Sequence, residues 1–391
     1  MTTKEKIEEL SKPTNEKHES MIIKNRNEFL FLYDIKNGNP NGDPDENRPR
    51  IDEVTKKCYV TDVRLKRFVR DYLIQIDGEN SILVTELNRK TVNLTDRVKQ
   101  RLLEDKVDEE KQKKIEGSNL LSYLLDHFTD LRLFGSPLAF GFPQGKQYEE
   151  IKKNWRETGT LTGPIQINFG ETLHQVEETT FHGTSTFGSR EEKEQGTFTT
   201  YYAIPYGLVA FHGVANENAA KTTFLSEEDM DKFKVALWRG VRESTSAHTR
   251  TKRGQQPRLL LNIVYKEKIK IKEKQDNGEE VDKEVPNEFH IGSLEEKIEL
   301  KSKVGEQINI RKVGDYVLDP SKLLDSIAKV KEKIKRVEYC LAPEFEDIFE
   351  GGDPVTEIKL IERIKEIGKK NEKEVCFEVV DLNIDRLSTG V

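Results

Sequence analysis

Cysteine is scarce in this chain: Cys58, Cys340 and Cys376 are the only three in 391 residues, an odd number with no Cys-x-x-Cys spacing. That argues against a disulfide framework or a cysteine zinc site and fits a reducing, cytoplasmic setting. Long apolar runs are missing too, and none approaches the ~20 residues that cross a bilayer, so no membrane partner is expected. The first twenty residues, MTTKEKIEELSKPTNEKHES, carry charge throughout and no apolar stretch, so no secretory leader is expected. The seven histidines never gather with the cysteines at metal-ligand spacing. GTSTFG (183–188) has no Gly-x-Ser-x-Gly elbow around its serine. No catalytic residue, metal or cofactor is expected.

What is present is charge and clear periodicity. Hydrophobic and charged residues each make up 35% of the chain, and the net charge is −7. An acidic total argues mildly against nucleic acid, but totals hide patches. One patch is plain: from Arg239 to Arg258 six Arg/Lys face one acid, Glu243.

Read in order, β-type and α-type segments alternate. FLFLYDI (29–35) is a short apolar run ended by turn residues, hence a buried strand. Leu65, Phe68, Val69, Tyr72, Leu73 and Ile76 form a continuous helical stripe behind Thr61, a candidate N-cap. Residues 80–160 read as polar helices with an irregular Gly/Pro segment, LRLFGSPLAFGFPQG. Ile165, Ile167 and Phe169 alternate as one strand. Glu177 to Thr200, rich in Thr and Gly, suits a protruding β-hairpin, and YYAIPYGLVAFHGVAN returns to buried strand. Ser226 with Asp229 has capping-box spacing before a helix. RLLLNIVY (258–265) is a further strand, and Asp276-Asn277-Gly278 marks a Lys/Glu hairpin. Helices are expected at 321–336 and 355–367.

The fourteen residues NGNPNGDPDENRPR (37–50) hold no aliphatic or aromatic side chain, and a loop of that length inside a compact domain is often functional. The Asn37-x-Asn39-x-Asn41-Gly42 spacing echoes a calcium loop, yet Arg48 stands where a bidentate Glu is required, so calcium is rejected. GFPQGKQ (141–147) has the wrong glycine spacing for a phosphate loop, and Gln147 replaces the magnesium-holding hydroxyl.

Other segments are compatible with phosphate. Arg64, Lys66 and Arg67 crowd a helix start, where the macrodipole disfavours cations, and an anionic partner would explain them. A solvated face with Asp62 and Asp71 as partners explains them equally. STSAHTRTKRGQQPR (244–258) carries the donors of a nucleic-acid loop.

These segments, NGNPNGDPDENRPRID with VTDVRLKRFVRDYL, DLRLFGSPLAF, TGPIQINFGETLH, YAIPYGLVAFHGVAN and TRTKRGQQPRLLLNIVY, resemble in order and spacing the Cas-seven family, the backbone subunits of CRISPR Cascade complexes. The type I-B branch is most similar and the type I-C branch a near relative; the likeness covers about residues 25–385. It implies an α+β fold with a right-hand architecture: an RRM-like (ferredoxin-like) palm, a helical fingers insertion and a thumb β-hairpin. The expected division is a flexible tail (1–27), palm (28–79, 161–176, 201–265), fingers (80–160), thumb (177–200), and a charged hairpin with C-terminal palm helices (266–391).

The resemblance also implies a non-catalytic subunit that stacks as a helical filament along CRISPR guide RNA. Its partners would be the guide, target DNA through guide pairing, further copies of itself and other Cascade subunits. Such binding needs phosphate and ribose donors while base pairing supplies specificity. Carried over, the RNA-binding residues are Asn39, Asn41, Arg48 and Arg50 in the loop, Arg64, Lys66 and Arg67 on the helix, and His248, Arg250, Lys252, Arg253 and Gln256 in the basic loop. Phe181 or Phe187 would wedge between bases. Two alternatives remain open. A metal-dependent ribonuclease like the type III relatives would use an aspartate near the thumb, and residues 171–200 hold no Asp. A stand-alone RRM-type RNA binder would expose stacking aromatics on its strands.

Overall fold

The computed structural model of the chain describes residues 21–86, 92–184, 198–249, 251–274, 280–349, 359–371 and 374–384. These fall into two compact units, one within Arg26–Phe68, Ile167–Gly213 and Trp238–Val391, the other within Met1–Asn25, Val69–Gln166 and Val214–Leu237.

The first unit is built on a mixed sheet. From edge to edge it runs Glu378–Asp381, Ile334–Leu341, Gln256–Tyr265, Asn27–Gly38, Phe198–Ala215, Gly170–Thr172 and Tyr59–Val60. Ile165–Ile167 and Thr179–Thr184 also pair with Phe198–Ala215. Phe29 to Tyr33 form an unbroken apolar run because their strand has neighbours on both sides and is covered on both faces. Leu30, Phe31 and Leu32 lie opposite Leu261, Leu260 and Leu259 in antiparallel register. The outermost pair, Ile334–Leu341 with Glu378–Asp381, is parallel, and the helix Leu360–Gly368 lies in the crossover between them.

Two buried carboxylates inside this core are held in hydrogen-bond networks. The Glu28 carboxylate accepts from His212 Nε2 (3.0 Å), Tyr265 Oη (2.5 Å) and the amides of Ile291 and Gly292 (2.8 and 2.6 Å). Asp34 accepts from Tyr206 Oη at 2.9 Å and pairs with Arg258 at 2.9 Å.

The second unit is largely helical. Val98, Leu102, Leu120, Leu124, Leu131, Ile151 and Trp155, from the helices Leu94–Glu104, Gly117–His127, Thr129–Phe134 and Glu149–Arg156, form its core together with Leu83 and Phe128 from the connecting segments. The irregular segment expected around 131–145 begins inside the last turn of Thr129–Phe134. The expected capping box at Ser226 is present: Asp229 N donates to Ser226 Oγ (3.0 Å), and Asp229 Oδ2 accepts from the Ser226 amide and hydroxyl. The same carboxylate forks onto Arg132 at 2.7 and 2.8 Å.

Several expectations need correction. Ile165, Ile167 and Phe169 do not share one face. The strand stops at Ile167 and restarts at Gly170, so parity is lost and Phe169 is 58% exposed, parallel to the Tyr59 ring. The expected helix at 321–336 ends at Val330, because IKRVEYCL, rich in β-branched and aromatic residues, forms the strand Ile334–Leu341. The helix expected at 355–367 spans Leu360–Gly368, with 350–358 outside the described residues. The chain is held from residue 22 onward, since Ile22 bridges to Ser226 and the buried Ile23 donates to Leu225 O at 3.0 Å. Ile76, the end of the helical stripe, is exposed. The Lys/Glu hairpin has paired arms, Lys268–Lys274 with Glu280–Pro286, and its turn lies outside the described residues.

Candidate nucleic-acid interface

The 37–50 loop follows directly from the strand Asn27–Gly38 and is tied to itself across its neck. Gly42 bridges to Pro49, Asp43 N donates to Arg48 O (2.9 Å), and Arg50 Nε donates to Gly42 O (3.1 Å). Asp43 Oδ1 accepts from the amides of Glu46 and Arg48, so an Asp/Pro/Asn-rich sequence builds a fixed turn.

Two residues expected to touch RNA instead hold the loop. Asn39 is fully buried: its amide donates to Thr251 O (2.7 Å) and its Nδ2 to Asn47 O (2.6 Å). Asn41 Oδ1 accepts from both the amide and the hydroxyl of Thr61 (2.9 and 2.8 Å). Their short amide side chains substitute for backbone pairing that a turn lacks.

The helix Asp62–Asp77 begins at that tie. Arg64 N donates to Thr61 Oγ1 (3.3 Å), the expected N-cap. The Arg64 guanidinium lies over the Phe68 ring at 4.0 Å and donates to Ser246 O at 3.2 Å, linking helix and basic loop. Lys66 is paired with Asp62 at 2.9 Å, one of the two carboxylates that the solvated-face alternative names. Arg67 is partly exposed on the same turn.

In the basic loop the short helix Thr245–His248 precedes a turn in which Lys252 N and Arg253 N donate to Thr249 O. Gly254 adopts a left-handed φ of 97°, and a Cβ there would press on Lys36 O, so the position suits glycine. His248 and Arg253 are exposed. Gln256 belongs to the sheet, opposite Asp34. Arg250 lies outside the described residues.

Lys252 departs most from expectation. It points inward, 9% exposed, and donates to Asn39 O at 2.5 Å. Burial, with Arg64 and Arg50 repelling and the Cys58 thiol opposing them, pushes its pKa down to about 7. A sequence cannot show this, because Lys252 and Arg253 look alike in a basic run.

Asn39, Arg50, Arg64 and Lys252 are thus brought together, and Arg67, His248 and Arg253 flank them on the same segments. Arg48 stands apart: its guanidinium lies over Tyr202 at 4.2 Å and pairs with Glu46 and Glu178. Tyr202, on the hairpin arm Phe198–Ala203, is the partner that sequence reading missed. Phe181 is half-buried and stacked on Tyr201 with centroids 5.0 Å apart; Phe187 lies outside the described residues. The cross-strand pairing Phe181↔Tyr201 accounts for that stack.

The site offers hydrogen-bond donors and positive charge. Among the described residues no group of three His, Cys, Asp or Glu could hold a metal ion, and no helix is long and apolar enough to cross a membrane.

A sequence profile described as CRISPR-associated protein Cas7 matches residues 25–319. A CRISPR-associated protein Cas7 from Haloferax volcanii is 32% identical over 322 residues, which is 80% of this chain and 86% of that one. Among solved structures, a chain of a CRISPR RNA-guided surveillance complex in a pre-nicking state aligns with a TM-score of 0.45 and 10% identity, covering 84% of this chain and 96% of that one. A chain of another CRISPR RNA-guided surveillance complex aligns with a TM-score of 0.39 and 14% identity, covering 83% and 94%. With the profile and the haloarchaeal relative both extending over most of its length, this chain belongs to the CRISPR-associated Cas7 family.

Proposed function

We propose that this Cas7-family chain is the guide-RNA-binding backbone subunit of a CRISPR surveillance complex of the Cascade type. Copies stack along the guide, grip its backbone and present its bases for pairing with target DNA, while other subunits cap the assembly. Within this reading the subunit is cytoplasmic, belongs to the type I-B branch and does not itself cleave nucleic acid. The sheet with its flanking helices is an RRM-like palm (28–79, 161–176, 201–265), residues 80–160 are the fingers and 177–200 the thumb of a right hand. Residues 266–391 complete the palm behind a charged hairpin.

The observation that carries the reading is the convergence of helix and basic loop through Arg64 and Ser246, beside the rigid 37–50 loop. It gathers cations and backbone donors from three segments, which suits a sequence-independent grip on phosphates. Co-expression with a CRISPR array tests it: the purified chain should carry RNA of one repeating length. Purification free of RNA, or cleavage of labelled RNA abolished by a point mutation in this chain, would overturn it.

A further inference from the structure

Burying an ammonium ordinarily demands an anionic partner. Lys252 has none among the described residues: its acceptor is the Asn39 carbonyl oxygen. Arg64 faces it from the helix, Arg50 from the 37–50 loop and the Cys58 thiol from the segment entering Tyr59–Val60. Two of these three are cations, and no carboxylate is among them. Lys252 nevertheless joins the two loops that carry the site, because Thr251 O accepts the Asn39 amide while Lys252 Nζ donates to the Asn39 carbonyl.

We propose that Lys252 is a proton-linked sensor of an anionic strand, and that the chain takes up one proton from solvent onto Lys252 Nζ when phosphodiesters settle on Arg64 and Arg50. This rests on the guide-binding reading. Phosphates there would offset the two cations that disfavour charge on Lys252, which is itself buried and so weakly screened. The charged amine then makes a stronger, charge-assisted bond to the Asn39 carbonyl. The loops close on each other as the strand binds, and affinity falls as pH rises past neutrality.

His248, exposed on the same loop, is a second nitrogen base that has to be separated from Lys252. The measurement therefore uses the full chain carrying His248→Gln. Titration calorimetry with a short single-stranded RNA, in two buffers of different ionisation enthalpy at equal ionic strength, counts protons. Uptake of roughly half a proton per chain is expected at pH 7, approaching one at pH 8, with affinity falling by up to about tenfold per pH unit above that. Adding Lys252→Arg, which stays charged throughout, should remove the uptake. Lys252→Met should also remove it.

The free protein gives a second reading. Between about pH 7 and the ordinary lysine range near 10 the unfolded chain holds the Lys252 proton and the folded one does not, so stability should rise with pH. That rise in the urea midpoint should flatten in Lys252→Met. Proton-neutral RNA binding, uptake unchanged in both variants, or a rise that survives Lys252→Met would overturn the proposal. The first two outcomes leave guide binding intact. No RNA binding at any pH would overturn the guide-binding reading and this proposal with it.

Discussion

The Asn41 side-chain oxygen accepts two hydrogen bonds from one residue, the Thr61 amide at 2.9 Å and the Thr61 hydroxyl at 2.8 Å. Thr61 in turn caps the helix that presents Arg64 and Arg67. The loop and the helix start are therefore one structural piece, and a change in the loop is felt where the cations stand. Asn41→Ala should cost about 1–2 kcal/mol in urea unfolding, leaving two donors without their acceptor. Asn41→Asp, which retains an acceptor there, should recover most of the loss. Equal losses in the two variants would show that the tie carries no stability.

RNA affinity should rest on charge and not on base identity. Removing Arg67 and Arg253 together by alanine substitution should weaken binding by the same factor, roughly tenfold, on unrelated guides. The slope of log affinity against log salt should shrink by about 1.4 for two lost phosphate contacts on a single strand. A guide-dependent loss in fluorescence anisotropy would point to base reading and count against the proposed grip.

In the helical unit the Asp229 carboxylate serves both Arg132 and its own helix cap. Burial opposes its ionisation, yet Arg132 and Ser226 hold its pKa below the usual carboxylate value. The stability it confers is present above about pH 4 and lost as pH falls through the depressed native value. Asp229→Asn keeps acceptors at the cap and deletes the charge, so it should destabilise by about 3–5 kcal/mol near neutrality. It should also flatten the acid limb of the stability profile. An unchanged acid limb would assign that limb to other carboxylates.

The hairpin arms pair Thr179–Thr184 with residues 198–203, and their ring contact is between Phe181 and Tyr201. A ribbon of two strands is marginal by itself, so its ordering should depend on a partner. Exchanging residues 180–196 for a short Gly/Ser linker should leave the monomer's melting nearly unchanged, because of the described sheet it takes only the arm at 180–184 and leaves the other strands whole. Filaments on RNA, viewed by electron microscopy, should shorten or vanish, and periodic nuclease protection of the guide should be lost. Full-length filaments with intact protection would reduce the hairpin to a surface loop.

Where one physical signal dominated, the sequence could be read directly. The apolar run at Phe29–Tyr33, the stripe from Leu65 to Leu73 and the Ser226/Asp229 box all fold as their pattern says, since burial and capping are local demands. Residues 334–336 read as the end of a helix because the strands that pair with Ile334–Leu341, Gln256–Tyr265 and Glu378–Asp381, lie far from it in sequence. Phe169 was misplaced because a break in a strand reverses parity without leaving a mark in composition. Within the site, donor-rich segments were recognisable, but the division of labour was not. Asn39 and Lys252 look like surface ligands, and only the tertiary approach of two loops turns them inward.

The strand Phe198–Ala215 is 18 residues long, about 60 Å if fully extended, and joins the hairpin to the middle of the sheet without interruption. Side chains alternate along it, so one inserted residue between Ala203 and Val209 would invert every position on one side of the insertion. Tyr201 and Tyr202 would exchange faces, uncoupling Phe181 and Arg48 from their rings, or else Leu208 and Phe211 would turn out of the core. Along this strand, length should change only in steps of two.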